Sequence, residues 1–493
     1  MTDRRHVLRS LVAVGCASLP LSGRAWAAAP PLPEDPFRLG VASGYPTPDS
    51  VVLWTRLAPH ALAPQGGMPP YRYAVHWEVA TDAAMTRIVA RGTAHADPEW
   101  AHSVHVTARG LQPQRDYWYR FTAAGHRSPA ARTRTLPAHG AAVGALNLAV
   151  ACCQNYEQGH YAAYRHIAAD APDLILHLGD YIYEYGINPN AIRPHNADEI
   201  RSLDDYRARY ALYKTDASLQ AAHAASPWMA TWDDHEIAND YAGLTAPNED
   251  DPAVFLARRT AAYRAYFENM PLPPACAPRG NRMSIHRQAL CGDLASICLL
   301  DQRQFRSHHP DTMLGAAQER WLAQRLQATR SRWTFLAQGT MVAHLLERRS
   351  GELRYGTDNW NAYPAARQRL LHTVQQSRVT NPVVLTGDVH AFIVGDVTET
   401  PERPRSPVVA PEFVATSISS GARPQRLMDE WQRDNPNLRY CAGEKRGYLK
   451  LALQPDRLQV DLIALDDARD PQSGRYVLKS CVVEAGRPEV QFA

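Results

Sequence analysis

The sequence predicts an α/β protein, a layered α-β-β-α sandwich that is preceded by a small β-sandwich domain. Three observations lead to this prediction. The chain has 493 residues, which exceeds the size at which a single hydrophobic core stops growing and favours two domains. Short alternating strands fill its first part, whereas strands alternate with helical patterns further on. In that second part, three buried-strand patterns end in clusters of Asp and His, as at the ligand-binding edge of an open α/β sheet.

Residues 1–27 have the pattern of an export signal. Arg4 and Arg5 precede an apolar run over residues 11–21, and Ala-Trp-Ala at 25–27 offers a cleavage site between small residues. The paired arginines resemble a twin-arginine signal, which the bacterial twin-arginine export machinery recognises; an ordinary secretory signal is the alternative. No later run approaches the roughly 20 apolar residues of a transmembrane helix. We therefore expect a periplasmic or secreted protein.

The net charge and the cysteine content of the chain bear on its partners and on its disulfides. The formal net charge of +3 is too small for this length to indicate nucleic acid as a partner, so we expect no specific nucleic-acid binding. Cleavage of the signal would remove Cys16 and leave an odd number of cysteines. In an oxidising compartment at least one thiol must then lie outside a disulfide, and we expect Cys153 to be that thiol. Cys276 and Cys291 flank a loop and can pair, although the sequence does not determine the pairing.

Residues 36–136 are predicted to form the β-sandwich domain. Strand patterns at 50–55, 73–79 and 103–106 are separated by turn residues, which is typical of an antiparallel sandwich. The segment 110–121, GLQPQRDYWYRF, resembles the tyrosine corner of fibronectin type III domains, where a Tyr hydroxyl bonds back to the upstream backbone. We therefore expect a fibronectin III-like domain.

Residues 145–493 are predicted to form the layered domain, because two packed sheets with helices outside fit the alternation of strand and helix patterns. The spacing of apolar residues near 3.6 predicts helices, and short apolar or alternating runs predict strands. The expected strands are 146–151, 174–178, 228–232, 294–300, 333–336, 383–385, 448–453, 458–465 and 476–483, and the expected helices are 161–169, 253–267, 318–329 and 364–375.

Polar clusters at the predicted strand ends offer ligands for metal ions. Asp180 follows the apolar run 174–178, where its carboxylate can bridge two cations, and Tyr183 lies one helical turn further on. Asp388 and His390 are two residues apart, so in extended backbone both side chains point to one side. A simple turn and a polar pair at a strand end are the alternatives. Carboxylate oxygens with imidazole nitrogens suit a pair of metal ions, which is a common arrangement for phosphoryl transfer.

The segment 233–236, DDHE, places three carboxylates around His235, and Asn239 follows within a turn. Burying carboxylates this close together without a cation is unfavourable, and a metal ion removes the conflict. An acidic helix N-terminus is the alternative. At Cys153, a trivalent ion would deprotonate the thiol, whereas the sequence alone favours a buried, inert cysteine.

Six motifs follow one another along the chain: CQ at 153–154, LGDYIYEY at 178–185, WDDHEIANDY at 232–241, MLGAAQE at 313–319, LTGDVH at 385–390 and TSISSG at 416–421. In this order they resemble the PhoD family of alkaline phosphatases. The resemblance implies a metallophosphoesterase fold for 145–493 and hydrolysis of phosphodiesters and phosphomonoesters by a metal-bound hydroxide. It also implies Fe3+ and Ca2+ as cofactors, with a phosphoester small molecule or lipid as substrate.

The resemblance also implies roles for individual residues. The implied metal ligands are Cys153, Asp180, Tyr183, Asn239, Asp388 and His390. Cys153, Asp180, Tyr183 and His390 would surround iron, and Asp180 would bridge to calcium, which Asn239 and Asp388 would also hold.

Three further residues are candidates for the catalytic reaction. Asp234 and His235 would lie at the edge of the site, in contact with phosphate or a second calcium. Arg303 is a candidate clamp on the phosphate, since a guanidinium fork matches two phosphate oxygens. A surface arginine is the alternative for Arg303.

Two positions depart from the family pattern. Family members usually read Trp-Asp-Gly-Tyr where this chain has Asn361, and Asn-Pro-His where it has Asn437. These departures remove a carboxylate and an imidazole near the predicted mouth of the site, so they bear on substrate preference more than on the metals.

Other functions are left open by the sequence. A serine hydrolase would use Ser417, Ser419 or Ser420 with His390, but the segment lacks the Gly-x-Ser-x-Gly form. An exported binding protein that calcium stabilises is the non-enzymatic alternative. Among phosphoester hydrolases, phospholipase D-like cleavage of phospholipid head groups is the alternative to general phosphoester hydrolysis.

Overall fold

The computed structural model describes residues 29–249, 251–309, 311–400 and 406–493. The predicted export signal at 1–27, which includes Cys16, lies outside the described residues. Within the described ranges, no helix is both long and apolar enough to cross a lipid bilayer.

The N-terminal part of the chain is built from antiparallel strands. They are β1 (Val41–Gly44), β2 (Ser50–Arg56), β3 (Tyr73–Ala80), β4 (Ile88–Ala96), β5 (Ser103–Arg109), β6 (Asp116–Ala123), β7 (His126–Arg127) and β8 (Ala131–Arg134). One sheet has the order β1-β2-β5, and the other is built from β4-β3-β6 with β7 and β8 on β6. Apolar residues of both sheets share one core, among them Leu53, Val75, Val106 and Tyr119.

Tyr117 on β6 makes the backbone contact that defines a tyrosine corner. The backbone N–H of Gln112 donates to the Tyr117 hydroxyl at 2.8 Å, and the ring is buried. The contact ties the loop before β6 to the strand that follows it.

The rest of the chain contributes the remaining strands and all the described α-helices. The strands are β9 (Leu146–Ala151), β10 (Leu174–Leu178), β11 (Trp228–Thr231), β12 (Arg287–Cys291), β13 (Ala295–Leu299), β14 (Ser307–His308), β15 (Asp311–Thr312), β16 (Trp333–Ala337), β17 (Leu346–Arg349), β18 (Glu352–Tyr355), β19 (Pro382–Thr386), β20 (Phe392–Thr398), β21 (Val408–Val414), β22 (Leu438–Ala442), β23 (Gly447–Leu453), β24 (Arg457–Leu465), β25 (Arg475–Glu484) and β26 (Val490–Phe492). The helices are α1 (Ala162–Asp170), α2 (Leu203–Lys214), α3 (Ala217–Ala225), α4 (Pro252–Asn269), α5 (Gly315–Ala328), α6 (Pro364–Gln376) and α7 (Gln425–Asp434).

Two large mixed sheets organise this part. The first has the order β26-β25-β24-β23-β9-β10-β11-β1-β2-β5, and the second has the order β12-β13-β16-β19-β21-β20-β22. Strands β9, β10 and β11 are parallel, as are β13, β16, β19 and β21. The pairing of Gly44 with Trp228 joins β1 to β11, so one N-terminal sheet continues the first large sheet.

Alternate residues of the central strands face different cores. Phe335 on β16 and Val383 on β19 belong to a cluster shared with Leu148 on β9 of the other sheet. The neighbouring Leu336 belongs to a second cluster, which helices α5 and α6 also line, for example with Leu322. Because successive side chains of a strand point to opposite faces, the second large sheet has apolar contacts on both faces.

Lys214, the last residue of α2, carries its ammonium group into a buried aromatic environment. The ammonium nitrogen lies 4.3 Å from the ring centre of Trp54 and 5.3 Å from that of Tyr181. Burial lowers the pKa of Lys214 to about 7. In an unfolded chain a lysine pKa is about 10.4.

We predict that Lys214→Met removes a pH dependence of stability. Between pH 7 and pH 10 the unfolded chain binds this proton and the folded chain does not. The free energy of unfolding therefore rises with pH in this range, by up to about 1.4 kcal/mol per pH unit, and this stabilisation is lost as pH falls to 7. The variant should therefore raise the thermal midpoint at pH 7 more than at pH 10. Calorimetry at both pH values tests this, with the partly exposed Lys445→Met as control. Equal shifts at both pH values would contradict it.

Candidate metal centre

The candidate centre lies where parallel strands of both sheets end. Cys153 follows β9, Asp180 follows β10, Asp234 follows β11 and Asp388 follows β19. Ligands collect at this edge of open α/β sheets because the carboxyl ends of parallel strands point the same way.

A cleft of about 440 Å³ opens at this edge. It is lined by Asn155, Gln158, Tyr183, Tyr185, Asp234, His235, Asn239, Asp240, Asp388, His390, Gly421, Ala422, Arg423 and Pro424. Six of the nine predicted site residues are among these. Two more, Cys153 and Asp180, are buried beside them, and one ligand atom each of Cys153, Asp180 and His390 lie within 4.8 Å of one another.

Tyr183 completes this group of ligands. Its hydroxyl lies 3.0 Å from Asp180 Oδ2 and 3.1 Å from His390 Nε2. His390 Nδ1 lies 3.0 Å from the carbonyl oxygen of Gly421, which assigns the ring proton to Nδ1 and leaves the Nε2 lone pair facing the group. Burial lowers the pKa of His390 to about 3, so the ring is neutral, as a metal ligand must be.

A second group adjoins the first. One ligand atom each of Asp180, Asp234 and His235 lie within 4.8 Å of one another. The ring of His235 stacks on Tyr183 with centres 4.2 Å apart, and His235 Nδ1 lies 2.8 Å from Glu184 Oε2. Burial lowers the pKa of His235, but the carboxylates of Glu184, Asp234 and Asp180 outweigh it and raise the pKa well above its ordinary value. The carboxylates around His235 therefore favour the protonated ring at the edge of the cleft.

The charge distribution of the centre fits bound cations. Burial raises the pKa of Asp180 and of Asp388 well above the ordinary value, and neighbouring carboxylates add to the effect. Asp180 Oδ1 and Asp234 Oδ1 are buried without a hydrogen-bond partner among the described residues. Arg303, 3.5 Å from Asp234 Oδ1, is an ion-pair partner for the second of these oxygens. Buried carboxylate oxygens without a hydrogen bond are unfavourable, and bound cations would remove this cost. The thiol, phenol, imidazole and carboxylates around them form a suitable donor set for metal ions.

The backbone of the ligands is strained. Cys153, Asp180, Asp388 and His390 have φ between 56° and 62°, in the left-handed region that side chains disfavour. Such conformations cluster at functional sites. Gly179, before Asp180, has φ 107°, and a Cβ there would lie 2.6 Å from the backbone nitrogen of Asp233, so this position requires glycine.

Glu236 holds the ends of two strands together. Its carboxylate accepts the backbone N–H groups of Asp180, Tyr181 and Asp233 at 2.7–3.1 Å. The segment around it forms turns and no helix, so an acidic helix N-terminus is not the explanation for the DDHE motif. The sequence indicated the acidic cluster, but not which of its carboxylates accept backbone N–H groups and which line the cleft.

Arg303 lies below the cleft and is fully buried. Its Nε donates to Asp233 Oδ1 at 2.5 Å, and its two terminal nitrogens donate to the two Asp358 oxygens at 2.7 and 2.6 Å. Arg306 donates to the same Asp358 carboxylate. The contact of Arg303 with phosphate stays a prediction. Asp358 was not predicted from the sequence, because it lies in no motif at the end of a strand.

The other expectations from the sequence concern serines and asparagines near the cleft. Ser417, Ser419 and Ser420 each donate to a backbone carbonyl at 2.7–2.8 Å, and none of these contacts involves His390. Asn361 donates to the carbonyl of residue 343 and Asn437 to that of residue 344, and neither is among the residues that line the cleft. Both side chains therefore bind the backbone of one loop, outside the lining of the cleft.

The seven cysteines of the described ranges have free, buried thiols. Cys153 is therefore free, as expected, whereas Cys276 and Cys291 do not form the disulfide that their spacing permits. Burial raises the pKa of the Cys153 thiol, so a cation is required to hold it as thiolate.

Mixed sheets with such a donor set at their strand ends are typical of α/β metalloenzymes. Residues 148–462 match the PhoD-like phosphatase family, and residues 23–137 match the PhoD-like phosphatase N-terminal domain. The chain is 42% identical to alkaline phosphatase D of Bacillus subtilis (strain 168) over 468 residues, which cover 90% of this chain and 80% of that protein.

A solved structure of PhoD is similar over nearly the whole fold. It matches with a TM-score of 0.90 and 40% identity, covering 94% of this chain and 93% of that one. The chain belongs to the PhoD-like phosphatase family. It is therefore a phosphatase that acts on phosphoesters, and the family relationship together with the donor set indicates that it depends on metal.

We predict that Asp180→Asn stabilises the metal-free protein while it abolishes stabilisation by metal. Removing one buried, unpartnered charge should raise the free energy of unfolding of the chelated protein by about 1–3 kcal/mol. Thermal midpoints with and without a chelator test this. Asp396→Asn, at a buried carboxylate 3.2 Å from Arg439 and outside the cleft, should shift both midpoints equally. A variant that loses as much stability on chelation as the parent would contradict the assignment.

Proposed function

We propose that this phosphatase hydrolyses both phosphodiesters and phosphomonoesters in the cleft above Asp180. The main support is the juxtaposition of Cys153, Asp180 and His390, whose ligand atoms lie within 4.8 Å of one another, with the Tyr183 hydroxyl in contact with two of them. Membership of the PhoD-like phosphatase family supports phosphoester hydrolysis at this centre.

We propose Fe3+ and Ca2+ as the metals. The thiolate of Cys153 and the phenolate of Tyr183 favour a small ion of high charge, whereas the oxygens of Asn239 and Asp388 suit calcium. Asp180 has one oxygen near Tyr183 and one without a partner among the described residues, which suits a bridging ligand. When bound, the ions would supply Lewis acidity and a water activated for attack on phosphorus.

The chain's own residues position and neutralise the phosphate. Glu184 holds Nδ1 of His235, so Nε2 is free to donate to a phosphate oxygen on which charge develops. The other oxygen of Glu184 accepts the backbone N–H of Asn239 at 2.8 Å, and the Tyr185 hydroxyl donates to Asn239 Oδ1 at 2.8 Å. One ligand atom of Asp234 lies within 4.8 Å of ligand atoms of Asp180 and His235, where it would contact the phosphate or a second calcium.

The remaining proposals concern architecture and location. Residues 145–493 form the α-β-β-α metallophosphoesterase sandwich, which the alternation of Phe335 and Leu336 between two cores supports. Residues 36–136 form the fibronectin III-like domain, which the Tyr117 contact supports. Residues 1–27 direct the folded protein through the twin-arginine machinery to the periplasm or the medium.

We predict that Asp180→Asn loses both bound metal and hydrolysis. Asp180 would hold both cations, so without its carboxylate they would share no protein ligand. Elemental analysis and assays with bis-p-nitrophenyl phosphate, p-nitrophenyl phosphate and phosphatidylcholine test this, with Asp396→Asn as control. Full activity of the variant would refute the site, and cleavage of the lipid alone would favour the phospholipase D-like alternative.

We predict that His235→Asn lowers kcat by about 10²- to 10³-fold, because a donor to the developing charge is lost. The bound metal content should stay the same, since the proposed iron ligands are untouched. In the parent, activity that depends on the imidazolium is lost as pH rises through its raised pKa, and the variant should lack that alkaline decline. Steady-state kinetics from pH 6 to 10 test this against the exposed His372→Asn. Unchanged kcat would remove His235 from the reaction.

A further inference from the structure

We propose that Arg423 binds the non-bridging oxygens of the substrate phosphate and favours phosphate groups with two negative charges. The inference rests on the proposed function, because it names the substrate class of the same cleft. It concerns a residue outside the motifs that identify the family.

The guanidinium groups of Arg303 and Arg423 differ in what they contact. The Arg303 fork is held by Asp233 and Asp358, is fully buried, and is absent from the lining of the cleft. Arg423 is exposed and lines the cleft, and only its Nε is engaged, by the carbonyl of Val389 at 3.2 Å. Within the described residues, neither terminal nitrogen of Arg423 has a hydrogen-bond or ion-pair partner.

The position of Arg423 ties it to the metal ligands. Val389, which accepts its Nε–H, lies between Asp388 and His390 in the chain. The backbone N–H of Arg423 also donates to the carbonyl of His390 at 3.4 Å. The guanidinium is therefore anchored beside the two ligands that the second large sheet contributes.

The backbone of Arg423 is fixed on its other side as well. Its carbonyl accepts the backbone N–H of Glu444 at 2.8 Å, and a Cβ on Gly443 would lie 2.2 Å from the same oxygen. Pro424, which follows, restricts Arg423 to extended backbone. A residue held in this way loses little conformational freedom when it binds a ligand.

The chemistry of a guanidinium predicts the preference for two charges. Its two terminal nitrogens match two oxygens of one phosphate. A phosphomonoester has a second pKa of about 6, so it carries two charges above neutral pH, whereas a diester carries one. The fixed guanidinium of Arg423 therefore contributes more to binding of a monoester or of inorganic phosphate than to binding of a diester.

The test compares Arg423→Gln and Arg423→Lys with the parent. Arg426→Gln is the control, because the Arg426 side chain is 91% exposed. The probes are p-nitrophenyl phosphate, bis-p-nitrophenyl phosphate and inorganic phosphate as an inhibitor. For Arg423→Gln we expect kcat/KM for the monoester and the affinity for inorganic phosphate to fall roughly 10- to 100-fold, and the diester to be affected several-fold less. Arg423→Lys should lie in between, and Arg426→Gln should match the parent.

Equal losses for monoester and diester, or no loss, would overturn the proposal. Loss of bound metal from Arg423→Gln, measured by elemental analysis, would also overturn it, because the residue would then act by positioning His390. A parent protein that hydrolyses neither ester would instead refute the proposed function.

Discussion

The crowding of buried carboxylates at one sheet edge is the constraint on which the rest of the site depends. Asp180, Asp234 and Asp388 meet where strands of two sheets end. One oxygen each of Asp180 and Asp234 has no hydrogen-bond partner among the described residues, and that of Asp234 has only Arg303, 3.5 Å away, as an ion-pair partner. Such an arrangement is unfavourable unless cations enter it. The left-handed backbone of the ligands, which is itself unfavourable, persists because both sheets hold it in place.

The carboxylates near the edge have different partners, and this separates structural roles from ligand roles. Glu236 accepts three backbone N–H groups, Glu184 holds His235, and Arg303 neutralises Asp233. Asp180 has an oxygen left over. The buried guanidinium of Arg303 therefore balances part of the negative charge without occupying the cleft where cations and phosphate would bind.

Much of the fold follows from local patterns, and the exceptions have a physical reason. Every strand and helix expected from residue 145 onward overlaps an observed one. Helices α2, α3 and α7 were not expected. In α2, Arg207, Arg209 and Lys214 are buried along with tyrosines, so the helix lacks the one-sided apolar stripe that a sequence search detects. The joining of β1 to β11 was also missed, because pairing between distant strands leaves no local signal.

By itself, the sequence determined the strand-end positions of Cys153, Asp180, Asp388 and His390, because apolar runs that stop at polar clusters are a local property of the chain. Only the tertiary structure decided which of these groups meet. It also decided that Arg303 faces carboxylates while Arg423 faces the cleft. Two arginines look alike in a sequence, and the partners that surround each guanidinium come from segments far apart in the chain, which packing alone brings together.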